Sequence, residues 1–210
     1  MSVAPKGLNK PIQESNMKCR VIRTDDELKQ YVDRFAEYSG IVYPFQYLRP
    51  AKVFGMFDSE KLVGGFILAD GDNIRWMKQI PLENNEFFKS VDPSMLVELN
   101  GVWLDASLRK SNKTIDFWSY VAKEIVAFGK PIPTFAYITE RKGLAELYQP
   151  ITVGKIFAGQ MTTSDKHLTV CYSNLFRFRY FKVLYAGRYV TRYFRDGGKS
   201  EQHLQKAARS

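Results

Sequence analysis

Residues 94–118 read "SMLVELNGVWLDASLRKSNKTIDFW", and the fold turns on how this stretch is parsed. From Ser94 to Leu104 apolar residues stand on both alternating faces, the pattern of a central strand covered on two sides. The run stops at Asp105. A basic loop without glycine follows. Ile115, Trp118, Ala122 and Ile125 then recur at helical spacing, and the pattern ends at Gly129 with Pro131 beyond. Strand, cationic loop and helix N-terminus are the components of an anion-binding site. A nucleotide-binding P-loop is excluded, because that pattern needs glycine where Ser107 and Asn112 stand.

Glu98 and Asn100 lie inside this apolar strand. On a regular strand they share one face with Val102 and Leu104. A carboxylate there costs free energy unless it is paired or hydrated, and burial raises its pKa toward the range of a general base. Two readings of Glu98 stand: a general base, or a residue near the strand end that pairs with a lysine. Gly101 marks a bulge or a close backbone approach, and a bulge shifts the facing of the residues beyond it.

Outward from this stretch the chain alternates strands and helices. "MKCRVIR" (17–23) reads as a strand. Thr24 with Glu27 forms a capping box for a helix whose stripe is Leu28, Tyr31, Val32 and Phe35, closed by Gly40. "IVYPFQYLRP" (41–50) is an aromatic loop. Residues 52–69 form a hairpin, with Gly64 and Gly65 in its second strand, and "IRWMKQI" (74–80) reads as a further strand. A short helix covers 83–90. "TFAYIT" (134–139) is a strand, "KGLAELY" (142–148) a short helix, and 153–173 a last hairpin. The expected class is α/β: a mixed, mostly antiparallel central sheet with helices on both faces, plus a basic C-terminal helix.

The division expected is a flexible leader over 1–16, one domain over 17–173, a basic aromatic helix over 174–196 and a disordered tail over 197–210. The net charge of +9 is concentrated at the end. Residues 174–210 carry nine basic and two acidic side chains, so +7 belongs to that segment and the body is nearly neutral. In the helix Phe181, Tyr185, Tyr189 and Tyr193 form a stripe beside Arg188, Arg192 and Arg195. Three readings of it are open: a helix docked on the sheet, a contact with an anionic membrane surface, or a nucleic-acid contact.

The two cysteines, Cys19 and Cys171, lie in separate strand-like runs and read as reduced, buried thiols, which fits a cytoplasmic location. His167 and His203 have no metal-ligand spacing around them, and no metal is expected. The polar start does not read as a signal peptide.

The central region resembles motif A of the GCN5-related N-acetyltransferase (GNAT) superfamily, in which a central strand leads into [QR]-x-x-G-x-[GA] and a helix. Arg109-x-x-Asn112-x-Thr114 stands in that frame, with both glycines replaced. The resemblance covers residues 17–173 through the order of strands and helices. It implies that Val102, Trp103, Leu104, Arg109, Lys110, Ser111, Asn112, Lys113 and Thr114 bind acetyl-CoA or a longer acyl-CoA, or another acyl thioester. Glu98, six residues before Leu104, corresponds to the family's general base, and Tyr148 to its general-acid tyrosine. These roles require Glu98 and Tyr148 to face one cleft at the end of the strand. A backbone N–H near Leu104 would stabilise the oxyanion. From the residues alone Tyr148 reads first as a partly buried aromatic on a short helix, and only the spacing favours the acid. The loop at 41–50 lies where the family builds its acceptor site, and Tyr43, Phe45 and Tyr47 would line it.

The activity implied is N-acyl transfer to an unidentified amine. Two alternatives stay open at this level: a nucleic-acid-binding or nucleic-acid-modifying protein on the same scaffold, and a non-catalytic binding protein.

Overall fold

The computed structural model describes residues 17–83, 85–109, 113–140, 142–181 and 183–184. Seven strands form one sheet: β1 (Met17–Val21), β2 (Lys52–Asp58), β3 (Lys61–Asp70), β4 (Leu96–Leu104), β5 (Ile132–Ile138), β6 (Gly154–Gln160) and β7 (His167–Tyr172). Their order is β1-β2-β3-β4-β5-β7-β6. Only β4 and β5 pair in parallel; the other neighbours are antiparallel. This is the mixed, mostly antiparallel sheet expected.

Helices cover both faces. On one face lie α1 (Asp25–Ser39), α2 (Phe45–Leu48) and α3 (Glu86–Ser90). On the other lie α4 (Lys113–Phe128), α5 (Lys142–Tyr148) and α6 (Leu175–Arg179). The Thr24 hydroxyl accepts from Glu27 N and caps α1. Glu27 in turn reaches back to the main-chain N–H groups of Arg23 and Thr24, which closes the capping box. Leu28, Tyr31, Val32 and Phe35 are buried as the stripe requires, and Gly40, at φ 68°, ends the helix in the left-handed conformation. In α4 the buried positions include Phe117, Trp118, Val121, Ala122 and Ile125.

The segment 74–80 is not a strand. It holds a 3₁₀ turn at Trp76–Lys78, and β3 and β4 pair directly beside it. Ile74, Trp76 and Ile80 alternate as in a strand, but they bury as a plug against Leu96 and Val170. The Trp76 indole N–H donates to Thr134 Oγ1 at 3.0 Å and fixes the plug to β5. The loop at 41–50 contains the single turn of α2, which Pro44 precedes.

The expected C-terminal helix begins as α6, where Asn174 Oδ1 accepts from Arg177 N and Phe178 packs into the core. Phe181 packs against Trp118, with ring centroids 5.6 Å apart. The remainder of its stripe and basic face, the leader over 1–16 and the tail over 197–210 lie outside the described residues. No helix among the described residues is long and apolar enough to cross a membrane. Cys171 is buried in the core, while Cys19 is half-buried with its thiol pushed up to about 12 by burial; the two form no disulfide.

Candidate active site

Two features of β4 shape the site. The first is a bulge. Ile67 pairs with Asn100 and Gly65 with Trp103, so Gly101 and Val102 together oppose Phe66. Gly101 has φ 58°, and a Cβ there would lie 2.6 Å from Ile67 Cδ1, so glycine is required on both counts. The bulge turns the rest of the strand over. Glu98, Asn100 and Trp103 face α1 and α2, while Val102 and Leu104 face α4. The single face that regular alternation assigns to Glu98, Asn100, Val102 and Leu104 therefore does not exist.

The second feature is a fork. Parallel pairing of β4 with β5 covers Leu96–Leu99 against Ile132–Phe135 and stops. Beyond it β4 continues to Leu104 bound only to β3, and β5 continues to Ile138 bound only to β7. Asp105 N donates to Val63 O. Main-chain N–H groups alternate in direction along a regular strand, so that of Leu104, counting back from Asp105 and before the bulge is reached, points to the opened edge. The fork thus offers an unpaired backbone donor on β4, which an extended amide-containing chain could meet as an added strand.

Glu98 sits one residue before the end of the paired segment and is only 2% exposed. Its Oε2 accepts from Arg75 N at 2.5 Å and from the Tyr47 hydroxyl at 3.2 Å. Burial pushes its carboxyl up to about 7; these two hydrogen bonds, the nearby Asn100 amide and the Arg75 charge restrain the rise. No lysine pairs with it among the described residues. Tyr47 is itself pushed well above the ordinary phenol range by burial and by the Glu98 charge, so its hydroxyl stays protonated. That proton goes to Glu98, and Asn100 Nδ2 donates to the Tyr47 oxygen at 2.6 Å. Tyr43 stacks on Tyr47 at 5.7 Å, and the Arg75 guanidinium lies over the Tyr43 ring, 4.6 Å from its centre. Of the three aromatic residues expected to line an acceptor site, Tyr43 and Tyr47 gather around Glu98, and Phe45 packs at the edge of the α1 core.

Tyr148 does not share the face of Glu98, a departure from the single cleft expected for the pair and one that counts against the general-acid role. It packs on the α4 side, stacked on Phe135 at 4.6 Å and edge-on to Trp118 at 6.0 Å. Phe135 is the last β5 residue paired to β4, so Glu98 and Tyr148 flank the fork from opposite faces, where the two strands are about to part. Burial, and to a lesser degree Tyr43, raise the Tyr148 phenol well above its ordinary range. Its hydroxyl makes no hydrogen bond among the described residues.

The loop before α4 is built differently from its glycine-rich counterparts. Asp105 Oδ1 accepts from Ser107 N and Oγ and starts the turn. The Thr114 hydroxyl, buried, donates to the carbonyls of Leu108 and Arg109 at 3.0 and 2.8 Å and holds the loop against the helix. Arg109 folds back, with Nε on Leu104 O at 2.9 Å and its guanidinium 4.1 Å from the Tyr38 ring centre. Lys113 pairs with Asp58 at 2.7 Å. The expected surplus of positive charge is therefore partly spent on protein contacts. Lys110, Ser111 and Asn112 lie outside the described residues. No cluster of His, Cys, Asp and Glu suited to a metal occurs among the described residues.

No protein-family model and no curated protein matches the sequence. Solved structures do. FeeM, an N-acyl amino acid synthase from uncultured soil microbes, superposes with a TM-score of 0.56 at 14% identity, over 78% of this chain and 93% of that one. NAA60 of Arabidopsis thaliana in complex with acetyl-CoA gives 0.54 at 12%, over 76% and 99%. A Desulfovibrio desulfuricans protein assigned to the GNAT family of acetyltransferases gives 0.53 at 8%, over 76% and 99%. The chain has the GNAT fold. The likeness covers about three quarters of this chain and nearly all of each compared chain.

Proposed function

We propose that the protein transfers an acyl group from an acyl thioester, an acyl-CoA in the first instance, to an amine. The observation that carries this reading is a buried carboxyl held near neutrality, Glu98, at the mouth of a fork whose β4 edge carries the N–H of Leu104. The donor's amide-bearing arm adds to β4 inside the fork. The α4 N-terminus and the 105–114 loop receive its pyrophosphate.

Glu98 takes a proton from the amine, and the nitrogen lone pair forms a bond to the thioester carbonyl carbon. The carbonyl oxygen gathers charge and accepts from the N–H of Leu104. The C–S bond breaks with its electron pair on sulfur, and the Tyr148 hydroxyl donates to that sulfur. Burial keeps Tyr148 protonated, which suits it to this donation. Because no paired strand separates the two faces beyond Leu99 and Phe135, a thioester in the fork is reachable from Glu98 on one side and Tyr148 on the other.

A second reading, binding without turnover, draws support from the engaged cations Arg109 and Lys113 and from Thr114 in the place of glycine. One experiment separates the two. A thermal-shift panel of CoA and acyl-CoAs of increasing chain length tests binding, where a hundredfold excess over Kd adds about 2.7 kcal/mol to stability. Release of free thiol from the same acyl-CoAs tests turnover. Shift with release supports transfer; shift without release supports the binding protein; no shift with any CoA removes both.

A further inference from the structure

The cluster around Glu98 contains two groups whose hydrogen-bonding capacity its internal contacts do not exhaust. The first is Asn100. Tyr47 has one proton and gives it to Glu98, so the Asn100 amide must present its NH₂ to the Tyr47 oxygen. That orientation leaves Asn100 Oδ1 buried without a partner, on a residue only 9% exposed. Buried acceptors in folded proteins are nearly always satisfied, and one that is not points to a donor supplied from outside. Oδ1 is an acceptor, so the missing partner is an N–H or O–H group. It stands two residues from Glu98 on the same face, beside the fork.

The second group is the Arg75 side chain. Its guanidinium, partly exposed, rests over the Tyr43 ring, and no carboxylate pairs with it among the described residues. Glu98 senses its charge without forming an ion pair. The position of Arg75 is nonetheless fixed, because its main-chain N–H is bound to Glu98 Oε2. One residue therefore orients the base with its backbone and holds next to it a guanidinium that the Tyr43 hydroxyl engages only in part, leaving donors of its five free.

An unfilled acceptor beside a carboxylate, with an unpaired guanidinium adjacent, is the complement of a small molecule carrying an amine and a carboxylate close together. We propose that the acyl acceptor is an α-amino acid, its nitrogen held by Asn100 Oδ1 next to Glu98 and its carboxylate held by Arg75. This deepens, and rests on, the acyl-transfer reading. Asn100 and Arg75 are assigned as acceptor-binding residues. A peptide N-terminus or a lysine side chain offers the amine without the adjacent carboxylate, and both would leave Arg75 unpaired.

The test uses the full chain in saturating CoA and measures binding, so it does not depend on turnover. Pooled L-amino acids and the matching pool of L-amino acid amides are each added, and the further thermal shift is recorded. The acids are expected to raise Tm and the amides not. Individual acids from the active pool should bind on the order of 10²-fold more weakly to Arg75→Met, which leaves the main-chain bond to Glu98 in place. They should bind at least tenfold more weakly to Asn100→Leu, with the CoA shift retained in both variants. Equal shifts from acids and amides, or no shift from either pool, overturn the proposal. Acyl transfer to other amines then stands or falls separately, on the CoA shift and thiol release described above.

Discussion

The Tyr31 hydroxyl donates to the Gly101 carbonyl at 2.6 Å and ties the middle of α1 to the bulge of β4. Gly65 makes this contact possible, since a Cβ there would lie 2.5 Å from the Tyr31 ring. Tyr31→Phe keeps the ring and strips the bond, leaving a buried carbonyl unpaired. The expected loss is about 1–3 kcal/mol, read as a lower urea midpoint at unchanged m-value. Gly65→Ala should cost at least as much by overpacking, roughly 1–3 kcal/mol.

Glu98 makes stability and activity depend on pH in opposite directions. Its folded pKa of about 7 lies above its ordinary 4.5, so the folded state binds this proton more tightly. The stabilisation is complete below about pH 4.5 and is lost as pH rises through 7, on the order of 3 kcal/mol in all. Glu98→Gln should match the parent near pH 5, exceed it at pH 8, and show a flatter urea-midpoint profile. Thiol release by the parent should rise with pH through about 7 as the carboxylate forms. In Glu98→Gln it should fall about 10²–10⁴-fold and lose that limb.

Tyr148→Phe separates packing from chemistry. The ring contacts with Phe135 and Trp118 survive, and the hydroxyl has no partner among the described residues to lose. Stability should therefore change by less than about 0.5 kcal/mol. The kcat for thiol release should drop at least tenfold with the acyl-CoA Kd unchanged. Equal kcat in the two proteins would remove Tyr148 from the reaction.

Thr114→Val deletes the hydroxyl that holds the Leu108 and Arg109 carbonyls while keeping the side-chain volume. Loosening the loop should weaken CoA binding several-fold, measured by calorimetry, and cost about 1 kcal/mol of stability. Tighter CoA binding in the variant would mean that the threonine obstructs the cradle instead of shaping it.

How much of this was legible in the sequence varies by residue. The covered central strand, the capped stripe of α1 and the order of elements follow from periodicity and end signals, which are local. The plug at 74–80 is not local. Ile74, Trp76 and Ile80 alternate as a strand does, and only the direct pairing of β3 with β4 leaves them no sheet edge to join. Gly101 announced a bulge, but which residues changed face depended on where β3 lost register. Asn100 and Tyr47 were visible as polar or aromatic letters in suitable places. The part Arg75 plays was not, because its bond to Glu98 comes from main-chain N–H, which every residue but proline possesses.

The fork also divides the chain. Strands β1 to β4 occupy one side of it and β5 to β7 the other, each a contiguous run of sequence, with four residues of each strand spanning the parallel seam and α4 as the only covalent passage. Each half is an antiparallel sheet whose neighbours are near in sequence, apart from α1 and the segment 71–95 folded over them. The molecule is thus laid out as two pieces that meet along a four-residue seam in the sheet and share a core on each face, with Trp76 of the first packed on Val170 of the second and Trp118 on Tyr148. A nick in the chain near Gly129 would leave both pieces whole, and a ligand bound across the border would act as their adhesive.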